Sequence, residues 1–333
     1  MRTLHITSWY PSEKNPKEAL WIQRQIEASE GEYDVLHLQV STGAFKITKK
    51  HQDRERSYLV SIPTKHWRII ELVTGVLLWY HLRLVYRLKD YDHLHFHITY
   101  PLLTFFRFLR TVQLRISVSE HWSAYHFNFN STKPLSRIKR IFTDDRLHFI
   151  FVSQALANDV ERFAGRPLNY TIVPNLVDKS VFFNAKAEKT PRSIFMLSYW
   201  KTPKRPLVVL QAVFEINRNR PTDQKVQLRI GGYGPQMNEI QSFIDKHEMA
   251  DVAVLTGALT SEEAAHEMNR AQIFAHCSDY ETFSVVCAEA IACQTFVVAS
   301  AVGGIPEFVN DTNGFLAINN EVETWKDLLG RKL

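Results

Sequence analysis

The sequence predicts an α/β protein of two doubly wound, Rossmann-like domains whose parallel sheets face each other across a cleft. Three observations point there. The 333 residues exceed the roughly 250 to 300 at which one hydrophobic core stops growing, so two cores are expected. Short apolar runs alternate with longer amphipathic stretches from end to end, the pattern of parallel strands covered by helices on both faces. A polar run, VDKSVFFNAKAEKTPRS at 177–193, carries Lys and Pro with little periodicity and reads as a linker, dividing the chain into domains 1–178 and 179–333.

In the first domain the strand candidates are RTLHITS (2–8), DVLHLQV (34–40), HLHFHI (93–98), QLRISVS (113–119), FIFVS (149–153) and TIVPN (171–175). In the second they are RSIFMLSY (192–199), VQLRIGG (226–232), VAVLTG (252–257), IFAHCS (273–278) and FVVAS (296–300). Their length and apolar content suit buried strands. Between them EALWIQRQIEA (18–28), KRPLVVLQAVFEINRN (204–219) and AEAIACQ (288–294) carry apolar residues at helical spacing. No solenoid repeat or low-complexity tract appears.

Hydrophobic residues make up 45% and charged residues 23% of the chain, the balance of a globular protein. Cys277, Cys287 and Cys293 lack metal or disulfide spacing and read as buried free thiols in a reducing cytoplasm. His5, Thr7 and Ser8 interrupt the first apolar run, so no secretory signal is expected. The most apolar stretch, IIELVTGVLLWY at 69–80, contains Glu71 and falls short of the roughly 20 residues that span a bilayer. Charge is uneven: 24 basic against 17 acidic residues in 1–178, but 16 against 18 in 179–333. From 101 to 140 seven basic residues, Arg107, Arg110 and Lys133 among them, face Glu120 alone. Such a field attracts phosphorylated substrates, anionic headgroups or nucleic acid.

Ligands of doubly wound sheets bind beyond the carboxyl ends of the strands, so the residues there matter most. After IFAHCS the chain reads DYETFSVVCAEAIAC (279–293), with Glu281 and Glu289 eight positions apart. A helix starting near 282–284 leaves the N–H groups of Phe283, Ser284 and Val285 free for phosphate oxygens. Two carboxylates beside them suit vicinal hydroxyls, because a carboxylate accepts hydrogen bonds in pairs. If both glutamates lay on one helix, eight positions would place them two turns plus about 80° apart. His93, His95 and His97 alternate onto one strand face; no partner from another element is identifiable, so a strand-end role is preferred to a metal site. Gly231, Gly232, Gly234, Gly303 and Gly304 follow strands and mark tight turns.

These pieces, in order, resemble the retaining GT-B glycosyltransferases of the family 4 type. The resemblance runs through SWYPSEKNPKEALWIQRQ, HLHFH, SVSEHWS, FVSQAL, IVPNLVD, SYWKTPKRP, RIGGYGP, LTGAL, the E-x7-E segment and GGIPEFV. It implies that Glu289 holds ribose hydroxyls, Glu281 the donor sugar, Phe283 to Val285 the sugar and diphosphate, and Lys204 the diphosphate. His121 matches the family's active-site histidine, and Gly304 lies close to the same cleft. Tyr199 stands where relatives carry a phosphate-binding arginine, with Lys201 as its expected substitute. Gln294 replaces a C-cap glycine, and the first loop, SEKNPKEAL, lacks the glycine that relatives often place near the phosphates.

The implied reaction moves a hexose from a nucleoside-diphosphate sugar, UDP or GDP, to a glycan or lipid-linked acceptor in cell-surface polysaccharide synthesis. The first domain would bind acceptor and the second donor. No cofactor or essential metal is expected. The chain ends at Leu333, before the closing helices of relatives. The basic first domain and KHWRIIELVTGVLLWYHLRLVYRL (65–88) add an expectation of peripheral contact with an anionic membrane face from the cytoplasm. Alternatives are a nucleotide-sugar 2-epimerase of the same architecture, and a nonenzymatic binder prompted by a pI of 9.0; no nucleic-acid motif favours a nucleic-acid partner.

Overall fold

A computed structural model of the chain describes residues 1–12, 18–104, 109, 112–131 and 135–333. Residues 13–17 of the first loop, with their predicted lack of glycine, and Arg107, Arg110 and Lys133 of the basic run lie outside the described residues. The chain divides into two compact units, Met1–Leu176 and Val177–Leu333.

The first unit runs β1 (Arg2–Thr7), α1 (Leu20–Glu27), β2 (Glu32–Thr42), β3 (Lys46–Gln52), β4 (Glu55–Ile62), α2 (Trp67–Tyr80), β5 (His93–His97), β6 (Arg115–Glu120), α3 (Leu135–Lys139), β7 (Leu147–Phe151), α4 (Gln154–Ala164) and β8 (Tyr170–Ile172). Its strands lie in the order β3-β4-β2-β1-β5-β6-β7-β8. All pair in parallel except β3, which returns antiparallel along β4. That hairpin escapes a pattern search because every residue of β3 is exposed. Its lysines suit an edge that must not recruit another strand. Helix α4 shows why its boundaries are legible: Ser153 Oγ accepts the Leu156 N–H at 3.0 Å, and Gly165 closes the other end at φ 76°.

The second unit runs β9 (Thr190–Tyr199), α5 (Pro206–Asn217), β10 (Gln227–Tyr233), α6 (Met237–Lys246), β11 (Ala253–Gly257), α7 (Ser261–Arg270), β12 (Ala271–His276), α8 (Val285–Ala292), β13 (Phe296–Ser300), β14 (Gly314–Ala317) and α9 (Val322–Lys332). The order β11-β10-β9-β12-β13-β14 is fully parallel, the arrangement of a dinucleotide-binding sheet. Both faces are covered. Ile194 and Met196 of β9 pack with Val209, Leu210 and Trp325 on one side, while Phe195 packs with Phe274, Met268 and Ala290 on the other. This explains why these strands read as continuous apolar runs.

The run 177–193, expected as a linker, belongs to this core. Phe182 is 2% exposed within the second cluster, and Thr190 already pairs with Ala271. One buried aromatic without neighbours at a regular spacing gives no periodic signal. The three cysteines are free and buried, and burial raises the Cys277 and Cys287 thiols to about 12, which leaves them inert.

Candidate active site

The strand order of the second unit reverses between β9 and β12, and the crevice beyond the carboxyl ends of those two strands is where such a sheet takes its ligand. Lys204, from the loop after β9, and Glu281, from the loop after β12, meet there. Lys204 forms a direct ion pair with Glu281 Oε1, and His276, the last residue of β12, places Nε2 2.7 Å from the same oxygen. The two loops are joined by a backbone bridge between Lys204 and Ser278. Burial, the largest influence on Glu281, raises its pKa, but Lys204 and then His276 outweigh it and hold the carboxyl at about 2. Glu281 is therefore an acceptor-only group at any ordinary pH, paired with the Lys204 ammonium.

Glycines hold this crevice in shape. Gly303, at φ 54°, passes so close to Glu281 that an added Cβ would lie 1.6 Å from its carbonyl oxygen, and the Gly304 N–H donates to that oxygen at 3.0 Å. On the β10 side, a Cβ on Gly232 would lie 1.9 Å from the Ser198 carbonyl oxygen, while the buried Trp200 donates Nε1–H to Gly231 O at 2.9 Å. Only glycine permits these approaches.

Helix α8 begins at Val285, with Ser284 before it in the left-handed region at φ 72°. The serine is 7% exposed, and its hydroxyl meets only the Cys287 thiol, a weak hydrogen-bonding group. A non-glycine residue held in that conformation at a helix start is a strained position of the kind that clusters at functional sites. Phe283 is buried against Phe308, with ring centroids 4.9 Å apart. Glu289 lies on the second turn of α8, 7% exposed. The estimate of two turns plus about 80° between the glutamates does not hold, because Glu281 precedes the helix and Ser284 breaks the helical path.

Lys201 and Tyr199 are exposed, the ammonium standing 5.2 Å from the Tyr199 ring centroid and that ring packing against Tyr233 at 5.1 Å. Lys201 is thus held over an aromatic face rather than in the Lys204–Glu281 pair. His276 gave no sequence signal, since one histidine at a strand end has no diagnostic spacing. The sequence's one Asp-x-Asp triplet, Asp90–Asp92, sits at the amino end of β5, with Asp92 accepting the Arg2 N–H at 2.7 Å. A separate cavity of about 450 Å³, lined by Ser193, Arg229 and Glu267, shares no residue with the Lys204 cluster.

In the first unit His121 follows β6 directly. Its neighbour Glu120 organises the turn: one carboxylate oxygen accepts the N–H groups of His121 and Trp122 at 2.9 and 3.0 Å, and the other accepts the Thr99 N–H and the Tyr125 hydroxyl, both at 3.0 Å. Glu120 is thus a positioning residue, where the sequence showed only a lone acid in a basic run. His121 is 6% exposed. Burial lowers its pKa to about 3, with Asn175 pulling the other way, so it acts as a neutral imidazole.

Residues 178–332 match the family model described as glycosyl transferases group 1. The gpi3 subunit of phosphatidylinositol N-acetylglucosaminyltransferase from Schizosaccharomyces pombe is 26% identical over 201 residues, 60% of this chain and 43% of the relative. MMP alpha-(1->4)-mannosyltransferase from Mycolicibacterium hassiacum is 28% identical over 185 residues, 55% of this chain and 44% of the relative. The chain spans less than half the length of these curated relatives. Among solved structures, sucrose-phosphate synthase from Thermosynechococcus elongatus superimposes with a TM-score of 0.72 at 15% identity, covering 99% of this chain and 89% of the other. HepE from Anabaena in complex with UDP gives 0.71 at 16% identity, covering 99% and 89%. The fold is the GT-B fold expected from the sequence.

Proposed function

Because residues 178–332 match the family model described as glycosyl transferases group 1, we propose that this protein is a retaining hexosyltransferase that uses a nucleoside-diphosphate sugar, UDP- or GDP-linked. The observation that carries this reading is the meeting of Lys204, Glu281 and His276 at the β9/β12 switch point, beside the start of α8. The diphosphate lies against the first N–H groups of α8 and the Ser284 hydroxyl, where the helix dipole favours negative charge. Lys204 turns from Glu281 to the leaving phosphate and meets the charge that develops there in the transition state. Freed from the lysine, Glu281 accepts from hydroxyls of the donor sugar, with His276 keeping it in place. Glu289 holds the ribose. The resemblance to the family assigns His121 the role of a donor to the transferred sugar, for which a neutral imidazole is suited. Departing phosphate takes the acceptor proton on the sugar's front face, so neither glutamate attacks carbon, and the step requires no metal.

The acceptor is a glycan or a lipid-linked glycan in cell-surface polysaccharide synthesis, reached at an anionic cytoplasmic membrane face. This is supported by α2, which buries Glu71, Thr74, Gly75 and Leu78 and leaves Leu72 52%, Val76 56% and Trp79 44% exposed. Exposed Arg68, Arg83 and Arg87 flank that stripe. Among the described residues no helix is long and apolar enough to cross a membrane.

Hydrolysis of UDP-, GDP- and ADP-sugars by the purified chain tests the transferase reading. Turnover of one donor class with release of the nucleoside diphosphate and retained anomeric configuration is expected. An epimeric sugar nucleotide formed without acceptor would establish the epimerase instead.

A further inference from the structure

The first sheet also reverses its strand order, between β1 and β5, and a cluster there is unused by sugar transfer. His5 of β1 pairs in register with His95 of β5, and His97 follows two residues on, so all three share one face. This supplies the partner from another element that the sequence did not reveal. Each ring brings a nitrogen within 4.8 Å of the other two, and His5 Nδ1 lies 3.1 Å from His97 Nε2. Two imidazoles on a tetrahedral zinc ion, with Zn–N bonds of about 2.0 to 2.1 Å, hold their nitrogens about 3.4 Å apart. The observed spacing is close to that bite.

Proton placement agrees with the geometry. Ser29 Oγ donates to Ile26 O at 2.6 Å, so it meets His5 Nε2, 3.3 Å away, as an acceptor. His5 therefore carries its proton on Nε2, leaving the Nδ1 lone pair directed at His97. His95 Nε2 lies 2.8 Å from Ser119 Oγ, which fixes the plane of its ring. Outer hydroxyls of this kind orient metal-ligating histidines. His97 is fully buried, and its Nδ1 has no hydrogen-bond partner among the described residues. His93, bonded to Ser117 Oγ at 3.0 Å, stays outside the trio.

We propose that His5, His95 and His97 form a site for one zinc-class divalent ion, with a water as the fourth ligand. An all-imidazole donor set selects such ions over Mg²⁺ or Ca²⁺, which take oxygen ligands. His95, the least buried of the three, lies on the side of entry. The ion ties β1 to β5 and stabilises the first unit, with no part in sugar transfer.

The test titrates the full chain, stripped with a chelator, with Co²⁺ and Zn²⁺. One ion per chain is expected, with Co²⁺ developing the visible bands of a four-coordinate nitrogen site and Zn²⁺ raising the melting temperature in proportion to the logarithm of its concentration. His5→Ala and His95→Ala lose both responses, and His93→Gln keeps both. Should the alanine variants not fold, zinc K-edge absorption on the wild-type chain decides: three imidazole ligands support the site, and fewer than three or any sulfur ligand overturns it. Absence of Co²⁺ binding to the wild type, or binding retained in folded His5→Ala and His95→Ala chains, also overturns it.

Discussion

Lys204 and Glu281 hold each other in an ion pair, and their pairing fixes two expected results. The folded pKa of Glu281, about 2, lies below the ordinary 4.5. Its contribution to stability is therefore complete above about pH 4.5 and is lost as pH falls toward 2. Denaturant titrations should show this acid loss in the wild type and not in Glu281→Gln, which should itself cost up to about 3 kcal/mol by leaving the lysine unpaired. Replacing Lys204 with Ala should lower the transfer rate about 100- to 1000-fold, as removal of one donor to a developing oxyanion does; steady-state kinetics with saturating donor read this directly. At the end of α8, Gln294 occupies the position of a missing glycine. It stands at φ 54°, with the Thr295 N–H on Ala290 O and its own N–H on Ile291 O, both at 2.9 Å, a complete left-handed helix stop. A side chain costs about 1 to 2 kcal/mol in that conformation. Gln294→Gly should therefore stabilise the second unit by about 1 kcal/mol, partly offset by the lost Asn184 hydrogen bond, and calorimetry should find a rise of about 2 to 4 °C.

At the scale of elements, α2 makes the clearest prediction. A helix with one buried and one exposed apolar face, flanked by arginines, should sediment the protein with anionic vesicles at low salt. Leu72→Glu together with Trp79→Glu should abolish sedimentation while leaving the melting temperature within about 1 °C, because substitutions at exposed positions away from special features are nearly neutral. Retention of binding would place the contact elsewhere. The same helix shows what sequence could reveal. Its apolar content was plain, but a core helix and an interfacial helix share that content until packing shows which face is covered. Strands β9, β12 and β13 were legible because burial on both faces demands unbroken apolar runs, whereas β3 was not, since an edge strand exposed on both sides has no reason to alternate. Within the site, Glu281 and Glu289 were visible through their spacing. His276 and Glu120 act through side-chain geometry at the ends of their strands, which a lone residue of either type does not reveal in the sequence, and Gly303, visible only as a turn residue, acts through its close approach to Glu281.

Across the whole molecule, buried histidines are concentrated in the first unit. Burial, in each case the largest cause, lowers His5 and His121 to about 3 and His37 and His93 to about 4, against an ordinary 6.5. Below pH 6.5 the unfolded chain takes up protons that the folded unit refuses, so stability must fall with falling pH, by about 1.4 kcal/mol per unit for each histidine. Scanning calorimetry in the presence of chelator should show the first unit's transition moving down in temperature between pH 6.5 and 4.5. A first-unit transition that stays in place over that range would contradict the burial of neutral histidines as the cause.

The central claim is that an activated sugar is gripped in the second unit where α8 begins. Diffraction from crystals soaked with a nucleoside diphosphate tests it most directly. Phosphate density is expected against the N–H groups of Ser284 and Val285, with Lys204 Nζ turned onto it and ribose at Glu289. Density settled among Ser193, Arg229 and Glu267 instead, with the Lys204–Glu281 pair undisturbed, would contradict it.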